Sequence, residues 1–197
     1  VIGPGNQGIG LLNACLHHPP LELVAVCDVF RPILERAVRV ANKAGKRVAS
    51  YPDFRDILVR KDIDAVAIGT PDHWHAYMTV EACKNSKDVY VEKPISVDIY
   101  GSQQMVAATR KYSRIVQVGT QQRSSGIFQN VVKIIQAGTL GKVLMVRTWI
   151  TGDGPIGSPP DSAPPPGLDW DMWQGPAQRR PFNMNRFGIL LNPDGSP

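Results

Sequence analysis

The sequence predicts an α/β fold with a doubly wound parallel sheet, followed by the start of a second α/β domain. Three observations carry this. Strand-length apolar runs alternate with helix-length amphipathic runs from residue 1 to about 150. A G-x-G-x-x-G stands directly behind the first strand end, and a carboxylate, Asp28, closes the second strand run. At 197 residues the chain has room for one complete core and part of another.

Val1-Ile2-Gly3 reads as the end of a strand, so the natural start is expected upstream, and the helix after it is expected over Asn6 to Leu16. Further strands are expected at Leu23 to Asp28, Arg47 to Ser50, Ala65 to Gly69, Asp88 to Glu92 and Ile115 to Gly119. The second helix is the best punctuated. Pro32 sits in its first turn, Ile33, Leu34, Ala37, Val38 and Ala41 share one face, and Gly45 lets the chain turn out. Helices of similar length are expected over 98–112 and 125–137, with another after the 69–75 loop. Right-handed crossovers stack these units into one sheet covered on both faces. Lys142 to Ile150 reads as a strand with alternating faces. Ten of the 17 prolines lie between Pro155 and Pro197, so the 152–168 loop and the residues after it read as an excursion of a second domain. The expected division is 1–122 for the first domain and 123–197 for the incomplete start of a substrate and dimerisation domain with a Pro-rich insertion.

Composition narrows the function classes. Hydrophobic content of 43% and charged content of 20% are ordinary for a globular protein, and no run reaches the ~18 apolar residues of a membrane span. The formal charge of +5 comes from scattered Lys and Arg with no aromatic-basic stripe, which favours an anionic small molecule over nucleic acid. Cys15, Cys27 and Cys83 match no metal or redox spacing. They read as free thiols in a reducing compartment, hence a cytoplasmic protein, and any export signal would precede Val1.

Gly3-Pro4-Gly5-Asn6-Gln7-Gly8 lies where such a motif has mechanical meaning. Its first glycine serves the tight turn, its second the approach of a pyrophosphate, its third the packing of helix on strand, and the helix N-terminus offers N–H groups to the phosphates. A plain Gly-rich turn is the bland alternative. Asp28 stands 20 residues after Gly8, where a carboxylate takes the adenosine ribose hydroxyls and repels a 2′-phosphate. That favours NAD, with NADP as the alternative through Arg31, which otherwise reads as a solvated first-turn residue. Thr70, Pro71 and the residues on to His75 stand at the carboxyl end of a strand, on the crevice side of such a sheet. His73 and His75 could pair on a metal, but no Cys, Asp or Glu cluster completes a coordination set, and no metal is expected. Glu92-Lys93-Pro94 ends another strand. Oxidising a carbinol requires its hydroxyl proton to leave, and Lys93 is the candidate base, its pKa expected to fall by partial burial beside a nicotinamide cation. The alternative is a strand-end Lys in water.

Gly3-x-Gly5-x-x-Gly8, Asp28, Thr70-Pro-Asp-His-Trp-His75, Glu92-Lys93-Pro94 and Gly119-Thr-Gln-Gln-Arg123 together resemble the glucose-fructose oxidoreductase, inositol dehydrogenase and MocA (Gfo/Idh/MocA) family over residues 1 to about 150. The resemblance implies a Rossmann domain in which Gly5, Asn6, Gln7, Asp28, Thr70, Pro71 and His75 contact the dinucleotide. It also implies that Glu92 holds the nicotinamide ribose, that Lys93 bridges cofactor and substrate as proton relay, and that Arg123 lies near the cleft. Val143 to Trp149 looks like the first strand of that family's C-terminal domain, and Trp170 to Pro176 looks like a subgroup with a Pro-rich insertion. The implied activity is NAD-dependent dehydrogenation of a sugar or cyclic polyol by a protein that is a homo-oligomer at full length. The alternatives are an NAD-retaining glycosidase of the same fold and a non-catalytic dinucleotide-binding module. One departure stands out. Family members present a second acid/base, commonly a His, from the C-terminal domain, whereas His17, His18, His73 and His75 all precede residue 76. A partial gene product, able to bind cofactor, is therefore expected.

Overall fold

Ile2 is the pivot of the sheet. In the computed structural model, which describes residues 1–149 and 157–188, Ile2 is bridged in parallel to Cys27 on one side and to Ile68 on the other. Its N–H donates to the Ala67 carbonyl at 2.8 Å, and its carbonyl accepts from Gly69 N–H at 2.9 Å. Outward on one side, β1 (Ala25–Cys27) pairs in parallel with β2 (Ala49–Tyr51). On the other, β3 (Ala65–Ile68) pairs in parallel with β4 (Asp88–Glu92), and β5 (Val116–Gly119) lies beyond β4. The order β2-β1-Ile2-β3-β4-β5 reverses direction at Ile2, which makes this a doubly wound sheet with its switch point between β1 and β3.

Alternation along the strands explains why helices cover both faces. Val1 and Val26 point into a core shared with Leu12 of α1 (Gly8–His17) and Ala37 and Ala41 of α2 (Arg31–Lys43). Their neighbours Ile2, Ala25 and Cys27 point the other way. There they meet Ile57 of α3 (Phe54–Leu58), Met78 of α4 (His75–Lys84) and Met105 of α5 (Ile99–Lys111). The α2 helix obeys its sequence signals, with Pro32 in the first turn and Gly45 at φ +74° just beyond the end. The α3 helix is absent from the sequence expectation because five residues carry too little periodicity. Its start is fixed by Asp53, whose carboxylate accepts the Arg55 N–H at 2.9 Å. The α1 helix begins at Gly8, after a turn through Gly5 to Gln7, so it starts later than expected.

The chain forms two compact units, one of Val1–Val118 with the residues from Pro159 onward, the other of Gly119–Ser158. The second contains α6 (Gly126–Gln136), at the position the sequence predicts. The strand expected over 142–150 is not formed across 142–149, and Ile150 lies outside the described residues. A strand needs a neighbouring edge for its N–H and C=O groups, and among the described residues none pairs with this stretch. The Pro-rich segment, expected in a second domain, packs in the first unit. Phe182 and Phe187 are buried with Phe30 and Ile33, joined by Leu168 and by Trp170 and Trp173 of α7 (Trp170–Gln174) and Met184 of α8 (Met184–Phe187). Aromatic area supplies what the segment lacks in regular structure. Among the described residues no helix is long and apolar enough to cross a membrane.

Because Ile2 is 2% exposed and touches both halves of the sheet, Ile2→Ala is expected to cost about 3 kcal/mol, read as a lower urea midpoint at unchanged slope.

Candidate functional site

The carboxyl ends of the first strand segment, β1, β3 and β4 converge on one edge, and glycines let backbone meet backbone there. Gly3 sits at φ +73°, and a Cβ on it would lie 2.7 Å from the Thr70 nitrogen. A Cβ on Gly8 would overlap the Gly3 carbonyl oxygen, and one on Gly69 would lie 2.8 Å from Gly8 Cα. Gly5 differs, because its Cβ would meet nothing within 4 Å. It lines a cleft of about 170 Å³ whose sheet-side wall includes Gly3, Asn6, Asp28, Thr70 and Pro71. Bare backbone facing open space at the amino end of a helix is the cradle a pyrophosphate needs.

At the end of β1, Asp28 Oδ1 accepts the Phe30 N–H at 2.8 Å. Its carboxyl is sunk in the cleft wall, and burial raises its pKa to about 7, against the opposing pull of the Phe30 N–H and the Arg36 charge. Arg36, absent from the residues singled out by sequence, reaches from α2 to donate to the Pro4 carbonyl at 3.1 Å, bracing the glycine loop. Its buried Nε finds no hydrogen-bond partner among the described residues. The available signal was a charged residue set among the apolar positions Ile33, Ala37 and Ala41 of α2.

Two loops complete the edge. Glu92 is buried, accepting Gln7 Nε2 at 3.3 Å and the Lys93 N–H at 3.2 Å, so the end of β4 is tied to the glycine loop. Lys93 is exposed, and the partial burial expected of it is not found. The Lys93–Pro94 peptide is cis. His75 is buried, with Nδ1 2.6 Å from the Pro94 carbonyl and Nε2 2.9 Å from the Thr70 carbonyl. It joins the loops after β3 and β4 and does not line the cleft. His73 Nε2 lies 2.8 Å from the Trp173 carbonyl, so each histidine of the pair is engaged with backbone oxygen. Arg31 projects from α2 with a largely exposed side chain 3.7 Å from Glu35 and also stands outside the cleft lining. Arg123 lies in the second unit, on an exposed 3-10 turn, Gln121–Ser124.

The site therefore offers open space beside Gly5, a carboxyl acceptor at Asp28, and the acidic and amine side chains of Glu92 and Lys93, all at the carboxyl edge of the sheet. Residues 1–120 match the profile of the oxidoreductase family with an NAD-binding Rossmann fold. The chain belongs to the Gfo/Idh/MocA oxidoreductase family. It is similar to a glycosyl hydrolase family 109 protein of Saccharopolyspora erythraea, 32% identical over 150 residues that cover 73% of this chain and 32% of the relative. It is also similar to the uncharacterized oxidoreductase YrbE of Bacillus subtilis, 28% identical over 89% of this chain and 47% of the relative. Among solved structures, myo-inositol 2-dehydrogenase of Lactobacillus plantarum matches with a TM-score of 0.64 and 27% identity, over 72% of this chain and 41% of that one. The chain thus spans about a third of the glycosyl hydrolase relative and about two fifths of the inositol dehydrogenase. Neighbours of this fold have been solved with NAD(H) or NADP, and the cofactor of the matched fold is NAD.

The half-buried Asp28, whose carboxyl is withdrawn from water, makes stability depend on pH. The folded protein keeps its proton up to about pH 7, whereas the unfolded chain releases it near the ordinary 3.8. The contribution is fully present below about pH 4 and declines as pH rises through 7. Asp28→Asn, which carries no such proton, is expected to match the parent at pH 4 and to exceed its unfolding free energy by about 2–4 kcal/mol at pH 8, measured by denaturant melts across that range.

Proposed function

We propose that the chain provides the cofactor-binding half of an oxidoreductase that moves hydride between nicotinamide and a secondary hydroxyl of a sugar or cyclic polyol. The observation that carries this reading is the exposed Lys93 amine beside the buried Glu92 at the end of β4, on the edge where Gly5 and Asp28 line the cleft. Bound NAD supplies the hydride acceptor. The chain's own residues do the rest of the work assigned here. Gly5 leaves room for the pyrophosphate, and Asp28 accepts from the adenosine ribose hydroxyls, its charge above about pH 7 opposing a 2′-phosphate. Glu92, held by Gln7, turns a carboxylate to the nicotinamide ribose. Lys93 takes the hydroxyl proton as the carbinol becomes a carbonyl. His75 serves as a positioning residue that fixes the Lys93–Pro94 loop against the Thr70 loop.

The likeness to a glycosyl hydrolase family 109 protein, 32% identical over 150 residues, favours a second reading. In it the same Lys93 chemistry oxidises a sugar transiently, and the glycosidic bond is cleaved with NAD regenerated. Net NADH formation separates the two, since the glycosidase consumes glycoside without accumulating NADH.

In calorimetric titration the chain is expected to bind NAD⁺ saturably and NADP⁺ at least tenfold more weakly, a preference that Asp28→Ala removes. In a protein that also carries the complete second domain, Lys93→Met is expected to lower kcat with polyol substrates by about 10²-fold or more. NAD⁺ affinity should stay within about threefold in that variant, because the amine acts on the reacting hydroxyl. A Lys93→Met enzyme that keeps the parent rate would remove Lys93 from the chemistry.

A further inference from the structure

Residues 167–187 cross the cleft from one lip to the other. On the lip after β1, the Arg31 N–H donates to the Gly167 carbonyl at 2.9 Å, the Asp169 N–H donates to the Val29 carbonyl at 3.0 Å, and Leu168 bridges Phe30 in antiparallel fashion. On the lip after β3, Trp74 Nε1 donates to the Met172 and Trp173 carbonyls, each at 3.1 Å. Gly175, at φ +47°, packs so closely on the Trp74 ring that no side chain fits there. Asp28 precedes the first lip, and Thr70 and Pro71 lead into the second. The strap spans the opening between them, and its inner side contributes Met172, Trp173 and Phe187 to the cleft wall.

We propose that Met172, Trp173 and Phe187 form the wall against which the adenine base of the dinucleotide rests, so that the Pro-rich segment is part of the nucleotide site. The inference rests on the reading of Asp28 as the ribose acceptor. A carboxylate that holds the ribose hydroxyls leaves the base one sugar's width away, and a base is recognised through a flat apolar face. Trp173 is braced for that task. It stacks on Trp170 at 4.6 Å with a 17° tilt, the His73 ring meets it at 5.2 Å, and Phe187 lies 6.0 Å from it. Trp170 is itself held by donation of its Nε1 to the Arg180 carbonyl at 2.9 Å. Thr70 and Pro71 line the same cleft from the sheet side, so the base would enter a slot with two walls.

The test compares ADP-ribose, NAD⁺ and nicotinamide mononucleotide by calorimetry on the parent chain, Trp173→Leu and Phe187→Leu, with a thermal melt of each. Leucine keeps apolar bulk and removes the ring. The expected result is about a tenfold loss of ADP-ribose and NAD⁺ affinity in Trp173→Leu, the size of one base–aromatic contact, with nicotinamide mononucleotide binding unchanged. Phe187→Leu carries the same test from the other aromatic position should Trp173→Leu lose its fold. Parent-like or tighter ADP-ribose binding in a folded variant at both positions overturns the wall and leaves the dinucleotide reading intact. A folded parent that binds neither NAD⁺ nor ADP-ribose overturns both.

Discussion

The site depends on one close approach, the packing of Gly3, Gly8 and Gly69 without intervening side chains. A Cβ on Gly8 would occupy the place of the Gly3 carbonyl oxygen, and one on Gly69 would press on Gly8 Cα. This contact brings the amino end of α1 down onto the ends of the first strand segment and β3. Ile2, between β1 and β3, thereby has its sequence neighbours at the rim of the cleft. Gly5 alone among the motif glycines faces open space, and that asymmetry gives the loop an open side as well as a packed one.

Charge is arranged around this loop at some energetic cost. Asp28 is held where burial disfavours its ionised form, and its nearest cationic aid, Arg36, is committed to the Pro4 carbonyl. Glu92 is likewise buried, with Gln7 and the Lys93 N–H as hydrogen-bond donors. Both groups stand at the carboxyl edge of the sheet, the side on which open α/β sheets place their crevice.

Most of the sheet was legible in the sequence because its signals are local. Alternating runs, the glycine spacing and Asp28 each report on a few neighbouring residues, and they placed the strands to within a few positions. What escaped depends on contacts distant in sequence. Lys142 to Trp149 has a strand's pattern, but pairing requires an edge that pattern cannot supply. The resemblance implied a cofactor contact for His75, but no local pattern announced that its ring would join the Thr70 carbonyl to the Pro94 carbonyl, 19 residues on. Arg36 was hidden in a helix described by its apolar face. The Pro-rich segment looked like an outlying excursion because its anchors, Phe30 and Trp74, belong to the first part of the chain.

The route by which that segment returns bears on how the protein comes into being. His73 meets the Trp173 carbonyl across 100 residues of chain, with the whole of the second unit made in between. During synthesis the sheet and its first five helices leave the ribosome before Trp173 does, so Phe30, Ile33 and Trp74 stand uncovered while the intervening residues are translated. Closing so long a loop yields contacts only at its end, which places docking of the aromatic segment after assembly of the sheet. Until Trp173 arrives the cleft lacks its aromatic side, and docking of the segment completes it.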